Sequence, residues 1–535
     1  MTLSLNSAFG WFKYFASFLI VGVISVYFTF SPLILTPFHH HDSYKNALGD
    51  SSRPCRADDA VKFNLQLTRP ILAQTECYNF RYANTLSGLS TARFVDVLLI
   101  GLCFACFAMW LNRSGFTFWS AAFISGSLFV LPCLQTTLIA AAHALPLAIL
   151  FAFFAMLSTH TAVRYKKWHA LIFYSISVIF LMLSFLSYPA LSAFYLVPIF
   201  IYVLFRRLDS WVDLRKTIVI DVCLFSMCSF LYFIIAKYHA INIGFVSGSM
   251  HRYDGLNLNI FNRILTLLYF FPRQANIYAN SLQSILIYTV LGGGTLISLY
   301  QFLKSKFFKQ NRSQATSYLL QKMIVLVGLF ILGSIVFLIS PVMFSATRVI
   351  HIFYVMSVLL VIWGLFNWTK AIDINNKYLF TVLVAALFFI NAAIANYYTA
   401  KSALNDNFEM NYIATSIANY LYDHDHLNRI HVVTPLAQSF NGLGAVEDIF
   451  NLNSSIMDQD IYYMLASTLK KLDMASGKNC IFINLKENYT EKEKQCIANE
   501  PERIAFTLSH PGEPVYQSNN MLVIDMNTPS NKVSL

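Results

Sequence analysis

Eleven stretches of this chain run for 16 or more residues with almost no charge, and nothing else constrains its fold as strongly. They fall at about residues 12–35, 94–111, 116–132, 136–158, 170–187, 190–205, 217–237, 283–302, 323–342, 349–368 and 378–396. A helix rising about 1.5 Å per residue needs about 20 apolar residues to cross a roughly 30 Å hydrocarbon layer. Most of the runs meet that length, and the two shortest cross only if polar residues extend their ends. The composition agrees, with 56% apolar and 12% charged residues in a chain of 535, a balance foreign to water-soluble folds. The expected fold is therefore a polytopic all-α membrane protein of about 11 transmembrane helices. The run Trp11 to Ser31 has no cleavage signal before it and reads as an uncleaved anchor. The breaks at Pro132 to Gln135 and at Ser187, Tyr188 and Pro189 read as turns that barely leave the bilayer.

Orientation follows from where short loops keep lysine and arginine. With the amino terminus inside, the inner loops hold Arg113; Arg164, Lys166 and Lys167; Arg206, Arg207, Arg215 and Lys216; Lys304, Lys306, Lys309, Arg312 and Lys322; and Lys370 and Lys377. The opposite turns near 133–136 and 187–190 hold none. This arrangement puts residues 36–93, 238–282, 343–348 and everything after 396 on the outer side.

Charge also divides the chain. From Tyr397 onward there are 10 Lys/Arg against 16 Asp/Glu, so the preceding part carries +17 and the whole +11. A basic membrane part suits anionic headgroups and polyanionic lipid substrates rather than nucleic acid. Two domains are expected: 1–396 in the membrane, with 36–93 as its first outer loop, and 397–535 as a small extracytoplasmic α/β domain. Within the second, Asn411 to Leu421 and Ile461 to Leu472 have helical periodicity, and Arg429 to Val433, Cys480 to Asn484 and Met521 to Ile524 look like strands. Of nine cysteines, Cys55 and Cys77 share one outer loop and Cys480 and Cys496 another. Each pair is a disulfide candidate in an oxidising compartment.

The chemistry-bearing residues gather at the outer mouth. His39, His40, His41, Asp42, Ser43, Tyr44, Lys45 and Asn46 follow the first run directly. Asp42 is either a carboxylate held against a membrane-borne substrate or the N-cap of a short interfacial helix. Side chains alternate along an extended segment, so at most two of His39, His40 and His41 converge; His39 and His41, which share a side, are the metal candidates, with Asp42 as a further ligand only if the segment bends. The same histidines would otherwise hydrogen-bond a phosphate. Farther along the loop, Arg69 offers a planar fork to a phosphate and Glu76 a second carboxylate, with surface ion pairing as the alternative for both. The loop after the seventh run carries His251, Arg252, Tyr253 and Asp254, and Tyr188 sits in an outer turn. Arg348 opens a late span on the outer side, against the usual bias, and needs an anionic partner or an interfacial anchor. Lys45 and Arg252 complete the cationic set. His143 and Asp221 are polar groups in or beside spans, where a helix–helix hydrogen bond suffices to account for them.

Soluble-enzyme motifs are missing. There is no GxxxxGK[ST], HExxH or GxSxG, and Gly292, Gly293 and Gly294 lie in a span, where they read as close packing or a bend. An outer-face enzyme of this kind needs a donor that is itself in the membrane.

The segment HHHDSYKNALG after the first span, Arg69–Pro70 with Glu76, SGLSTARFVDVLL from Ser87, FLSYPALSAF from Phe185 and Arg348 before a late span together resemble the lipid-linked-sugar glycosyltransferases of the GT-C class. Within that class the resemblance is to the bacterial O-antigen glucosyltransferase, or serotype-conversion, family, and in layout it spans about residues 12–370. It implies an inner-membrane enzyme with a cytoplasmic amino terminus and a periplasmic carboxy-terminal domain. Such an enzyme takes a sugar, glucose by the resemblance, from a polyprenyl-phosphate carrier to a lipid-linked glycan or lipopolysaccharide acceptor, with inversion. A donor synthase and a flippase would be its partners. By the same resemblance Asp42 is the catalytic carboxylate, Arg69, Arg252 and Arg348 face the departing phosphate, and Glu76 orients the acceptor or pairs with an arginine. Many members of the class have paired first-loop acids, but His41 stands beside Asp42 here, which leaves the second carboxylate and the need for a metal open. The competing reading is a transporter or flippase of lipid-linked glycans, which calls for polar groups deep along a central path.

Overall fold

A computed structural model describes residues 5–36, 64–65, 68–82, 86–131, 134, 138, 141–165, 168–205, 211–242, 262–265, 281–305, 308–309, 312–335, 351–372, 376–423, 429–433, 482–484, 504–509 and 521–525. The long helices are α1 (Leu5–Leu35), α2 (Pro70–Tyr82), α3 (Leu86–Arg113), α4 (Phe118–Phe129), α5 (Ala144–Ala162) and α6 (Trp168–Ser187). A short α7 (Pro189–Ser192) passes through a 3-10 turn, Ala193–Leu196, into α8 (Val197–Phe205). Then come α9 (Trp211–Asn242), α10 (Ser281–Lys304), α11 (Arg312–Gly333), α12 (His351–Ile372) and α13 (Asn376–Asp423).

Among the described residues nine helices are long and apolar enough to cross a membrane, and Phe118–Phe129 and Pro189–Phe205 are shorter apolar helices. The protein is thus a polytopic helical membrane protein, and every apolar run has a helical counterpart. Two counterparts are displaced. The described helix of the expected 136–158 run is Ala144–Ala162, and the positive φ of Ala141 is no part of a right-handed helix; residues 135–137, 139 and 140 lie outside the described residues. The helix of the expected 323–342 run begins earlier, at Arg312 (Arg312–Gly333), since Arg312, Gln314, Gln321 and Lys322 are ordinary helix formers; residues 336–342 lie outside the described residues.

Small residues let the helices meet. A Cβ on Gly101 would lie 2.5 Å from a Val23 methyl, and one on Gly294 would lie 2.7 Å from the Gly364 Cα, so α1 crosses α3 and α10 crosses α12 at nearly backbone contact. Between α3, α4, α5 and the 3-10 turn, Phe107 meets Phe129, Phe153 and Phe194 edge-on at ring distances of 6.2, 6.1 and 5.7 Å. Pro32 lies within α1 and has no N–H to give the carbonyl four residues back. In hydrocarbon that carbonyl still needs a donor. Asn396 of α13 supplies it, with its amide 2.9 Å from the Phe28 oxygen and 3.1 Å from that of Thr29.

After α13 the described strands are β1 (Arg429–Val433), β2 (Phe482–Asn484), β3 (Ile504–Ser509) and β4 (Met521–Asp525). They form one parallel sheet in the order β2-β3-β1-β4. Three of these strands were anticipated, whereas β3 was not. β1 is central, with Ile430 and Val432 buried on one face and His431 buried on the other, as strands covered on both sides are. Burial holds the His431 imidazole below its ordinary pKa. The expected helix at Ile461 to Leu472 lies outside the described residues. The apolar span at the start of α13 ends at Tyr397, but the helix runs on unbroken for 48 residues in all, past the expected domain boundary.

Candidate functional site

At one end of the bundle polar side chains hold the helix ends together. The last carbonyls of a helix have no partner within it. Two of those of α1 are taken by α3: Ser90 Oγ donates to Ile34 at 2.6 Å and Arg93 Nη1 to Leu33 at 3.0 Å. The arginine is 1% exposed. The chain that leaves α1 toward Asp42 is therefore anchored on α3 at its point of exit.

One turn beyond Arg93, Asp96 is fully buried and its Oδ1 lies 2.7 Å from Nδ1 of His143, the residue before α5. Its Oδ2 is buried and accepts no hydrogen bond among the described residues. Burial works against the His143 imidazolium, but the hydrogen bond and the charge of Asp96 outweigh it, so the pKa lies above the ordinary imidazole value. His143 leaves the helix end uncapped by its side chain, which keeps the ring free for Asp96.

The segment before α2 supplies the third part. Thr68 and Ala141 are the two non-glycine residues with positive φ among the described residues, at 57° and 50°. Such a backbone persists only where its surroundings enforce it. Thr68 immediately precedes Arg69, and Ala141 stands two residues before His143. Around Thr68, Asn64 donates its side-chain amide to Glu76, Arg69 N–H donates to the Asn64 carbonyl at 2.9 Å, and the Tyr232 hydroxyl reaches the Thr68 carbonyl at 3.5 Å. Asn79 of α2 donates to the Ala141 carbonyl. Helix α2 thus fixes both strained positions. Arg69 is laid over the ring of Tyr188, 4.7 Å from its centroid, and its buried Nε has no acceptor among the described residues. No carboxylate pairs with Arg69 among the described residues.

Of the sequence candidates, Arg69 and Tyr188 meet directly. Glu76 pins the turn that carries Arg69 and does not pair with that arginine. Cys77 is disulfide-bonded, and its partner lies outside the described residues, as do Cys55, Cys480 and Cys496. Asp42, Lys45, His39, His41, Arg252 and Arg348 also lie outside them. Among the described residues no three His, Cys, Asp or Glu side chains form a group able to hold a metal. Sequence reading passed over Asp96, although a carboxylate within an apolar run is itself a functional signal. It gave His143 no more than a packing role, because a partner 47 positions away leaves no local trace.

A second polar group lies toward the other end. Asp221 of α9 is buried, with Oδ1 accepting from Tyr195 at 2.7 Å and Oδ2 lying 3.1 Å from Nε2 of His160. Thr159 links Tyr195 to Ser177 at 3.0 and 2.7 Å. Both carboxylate oxygens are satisfied, so this network ties four elements together. A cavity of about 250 Å³ between α5 and α6, lined by Phe154, Leu157, Ser158, Thr161, Phe173 and Phe180, is mostly apolar.

No family model, no curated protein and no solved structure matches this chain.

Proposed function

We propose that this protein is a glycosyltransferase that moves a sugar, glucose by the resemblance, from a polyprenyl-phosphate carrier to a lipid-linked glycan or O-antigen/lipopolysaccharide acceptor at the outer face of a bacterial inner membrane. The observation that carries the reading is Arg69, stacked on Tyr188 with a buried Nε that lacks an acceptor among the described residues. A cation held this way calls for an anion, and a phosphate oxygen suits its fork. The Tyr188 ring keeps the guanidinium plane oriented for it.

The reaction is an inverting displacement. The acceptor oxygen bonds to the anomeric carbon as the bond from that carbon to the phosphate oxygen breaks. Asp42 takes the hydroxyl proton, and polyprenyl phosphate leaves with the bonding electrons. Arg69, Arg252 and Arg348 compensate its growing charge, with Lys45 beside Asp42, while Glu76 keeps the Arg69 turn in place. The anchoring of the α1 exit by Ser90 and Arg93 favours a fixed position for the Asp42 segment, as proton transfer over about 3 Å requires. The disulfide at Cys77 supports placing this loop in an oxidising compartment, hence a cytoplasmic amino terminus and a periplasmic segment after α13. A donor synthase and a donor flippase belong to the same scheme.

The buried His160–Asp221–Tyr195 group favours the second reading, a flippase or transporter of lipid-linked glycans, because ionisable residues inside a span commonly mark a transport path. Its closed set of hydrogen bonds favours a structural tie instead.

The deciding experiment incubates the purified protein in lipid with prenyl-phosphate sugars and a glycan acceptor, comparing wild type with Asp42→Asn. Transfer by wild type and its loss in the folded variant is the expected result. Equal transfer by both removes Asp42 from the mechanism, and translocation without transfer selects the transporter. Chelation followed by manganese or magnesium, scored by the same transfer, decides whether His39 and His41 serve a metal.

A further inference from the structure

The Asp96–His143 pair has no part in the scheme above, yet its geometry is that of a built site. Asp96 is fully buried, spends one carboxylate oxygen on His143 Nδ1 at 2.7 Å and leaves the other without a donor. A structural carboxylate in a span is normally satisfied on both oxygens, as Asp221 is in the same bundle. With Nδ1 committed to Asp96, the imidazole has Nε2 left over. The His143 side chain is 16% exposed, and Nε2 has no hydrogen-bond partner among the described residues. The backbone two residues earlier is held at a φ of 50° by Asn79, so the ring's position is enforced from α2 as well as from α3. Residues at the start of α5 also present the positive end of a helix dipole, which favours an anion.

We propose that His143, positioned by Asp96, binds a phosphate ester at the outer mouth through Nε2–H, and that this ester is the prenyl phosphate of the sugar donor. The assignment of the ester rests on the transferase reading; the anion site rests on the pair alone. In the displacement, as the carbon–phosphate oxygen bond breaks, the leaving phosphate gains negative charge and accepts a hydrogen bond from the imidazolium. Asp96 touches no substrate and acts as a positioning residue, fixing the ring and favouring its charged form. The elements packed against α5 bring these other charged or titratable groups toward this end: Arg93 on α3, Glu76 on α2 with Arg69 just before it, Tyr188 just before α7, and Tyr232 on α9. Among the described residues Asp96 alone bonds the imidazole. Because the pair raises the His143 pKa, the site keeps its charge to a higher pH than a free histidine would and loses it as pH rises further.

The test measures binding of farnesyl phosphate to the full-length protein in nanodiscs of neutral lipid from pH 5.5 to 9, with inorganic phosphate and phosphatidic acid as competing probes. Wild type is expected to bind about tenfold or more weakly once the imidazole is neutral, the loss expected for a charge-assisted hydrogen bond. His143→Gln, whose amide can still donate to Asp96, should bind weakly at every pH. Asp96→Asn should move the fall to lower pH. If Asp96→Asn does not fold, the His143→Gln comparison decides alone. A folded His143→Gln protein with the affinity and pH profile of wild type overturns the inference, as does failure of all three phosphates to bind. Equal competition by inorganic phosphate or phosphatidic acid upholds the anion site and overturns its assignment to prenyl phosphate. Sugar transfer that is indifferent to His143→Gln at all pH sinks this inference and spares the transferase. His143-dependent binding in a protein that transfers no sugar from any prenyl-phosphate donor does the reverse.

Discussion

Asn79 donates its side-chain amide to the carbonyl of Ala141, and so holds open a left-handed backbone two residues before His143. The two ends of this contact predict opposite effects. Asn79→Leu strips the buried carbonyl of its donor and should destabilise by about 1–3 kcal/mol. Ala141→Gly relieves the positive φ and should stabilise by about 1 kcal/mol. Thermal unfolding in detergent reads both, and a stabilising Asn79→Leu would show that the contact bears no strain.

Arg69 and Tyr188 predict a graded series in the transfer assay. Tyr188→Phe keeps the ring under the guanidinium and should leave transfer near wild type. Tyr188→Leu removes the stacking, worth about 0.5–2 kcal/mol, and should raise KM for the donor several-fold. Arg69→Gln should lower kcat/KM by on the order of tenfold or more, and Arg69→Lys should fail to restore it, because a point charge does not replace a fork. Full rescue by lysine would mean that charge alone matters.

For Asp221, a structural tie and a transport group predict different losses. Tyr195→Phe leaves a buried carboxylate oxygen without its donor and should cost about 1–3 kcal/mol in stability. Combined with His160→Gln it should show a coupling of about 0.5–3 kcal/mol. Sugar transfer per folded molecule should stay unchanged. If transfer collapses while stability holds, the network is a working part and the transporter reading gains.

Three adjacent glycines separate packing from propensity. A Cβ on Gly292 meets nothing within 4 Å, whereas one on Gly294 meets the backbone of Gly364 at 2.7 Å. Gly292→Ala should therefore stabilise by up to about 1 kcal/mol through helix propensity, and Gly294→Ala should destabilise by about 1–3 kcal/mol through overpacking. Similar melting shifts for the two would contradict the close crossing of α10 and α12.

The pH dependence of stability has a sign fixed by His143. Its folded pKa is raised by the pairing with Asp96, so the pair's stabilisation is full below the unfolded value of about 6.5 and is lost as pH rises through the folded one. The melting-temperature gap between wild type and His143→Gln should shrink on going from pH 5.5 to 9. A gap that widens would reverse the assignment.

The membrane helices were legible because hydrocarbon demands length and apolarity, and both are local properties of the chain. Span ends were less so, as at Arg312, where ordinary polar helix formers continue a helix past its apolar stretch. The site was legible only in part. Arg69 and Tyr188 could be named singly, but their stacking brings together residues far apart in sequence and depends on how α2 packs across the bundle. Asp96 was hidden by its surroundings, a single acid in an apolar run whose partner lies beyond two turns and a helix. The strand at Ile504–Ser509 was missed because its sequence, IAFTLS, is short and lies in a polar stretch where the alternation is brief.

The unbroken helix Asn376–Asp423 has a mechanical consequence. About 26 of its residues continue past Tyr397, a rod of about 39 Å beyond the apolar stretch, rising 1.5 Å and turning about 100° with each residue. Inserting one residue there would swing everything distal by more than a quarter turn relative to the bilayer-embedded portion. The direction in which the far end of the helix faces is thus written into a residue count, and a small tilt at the foot of the rod is multiplied at its tip.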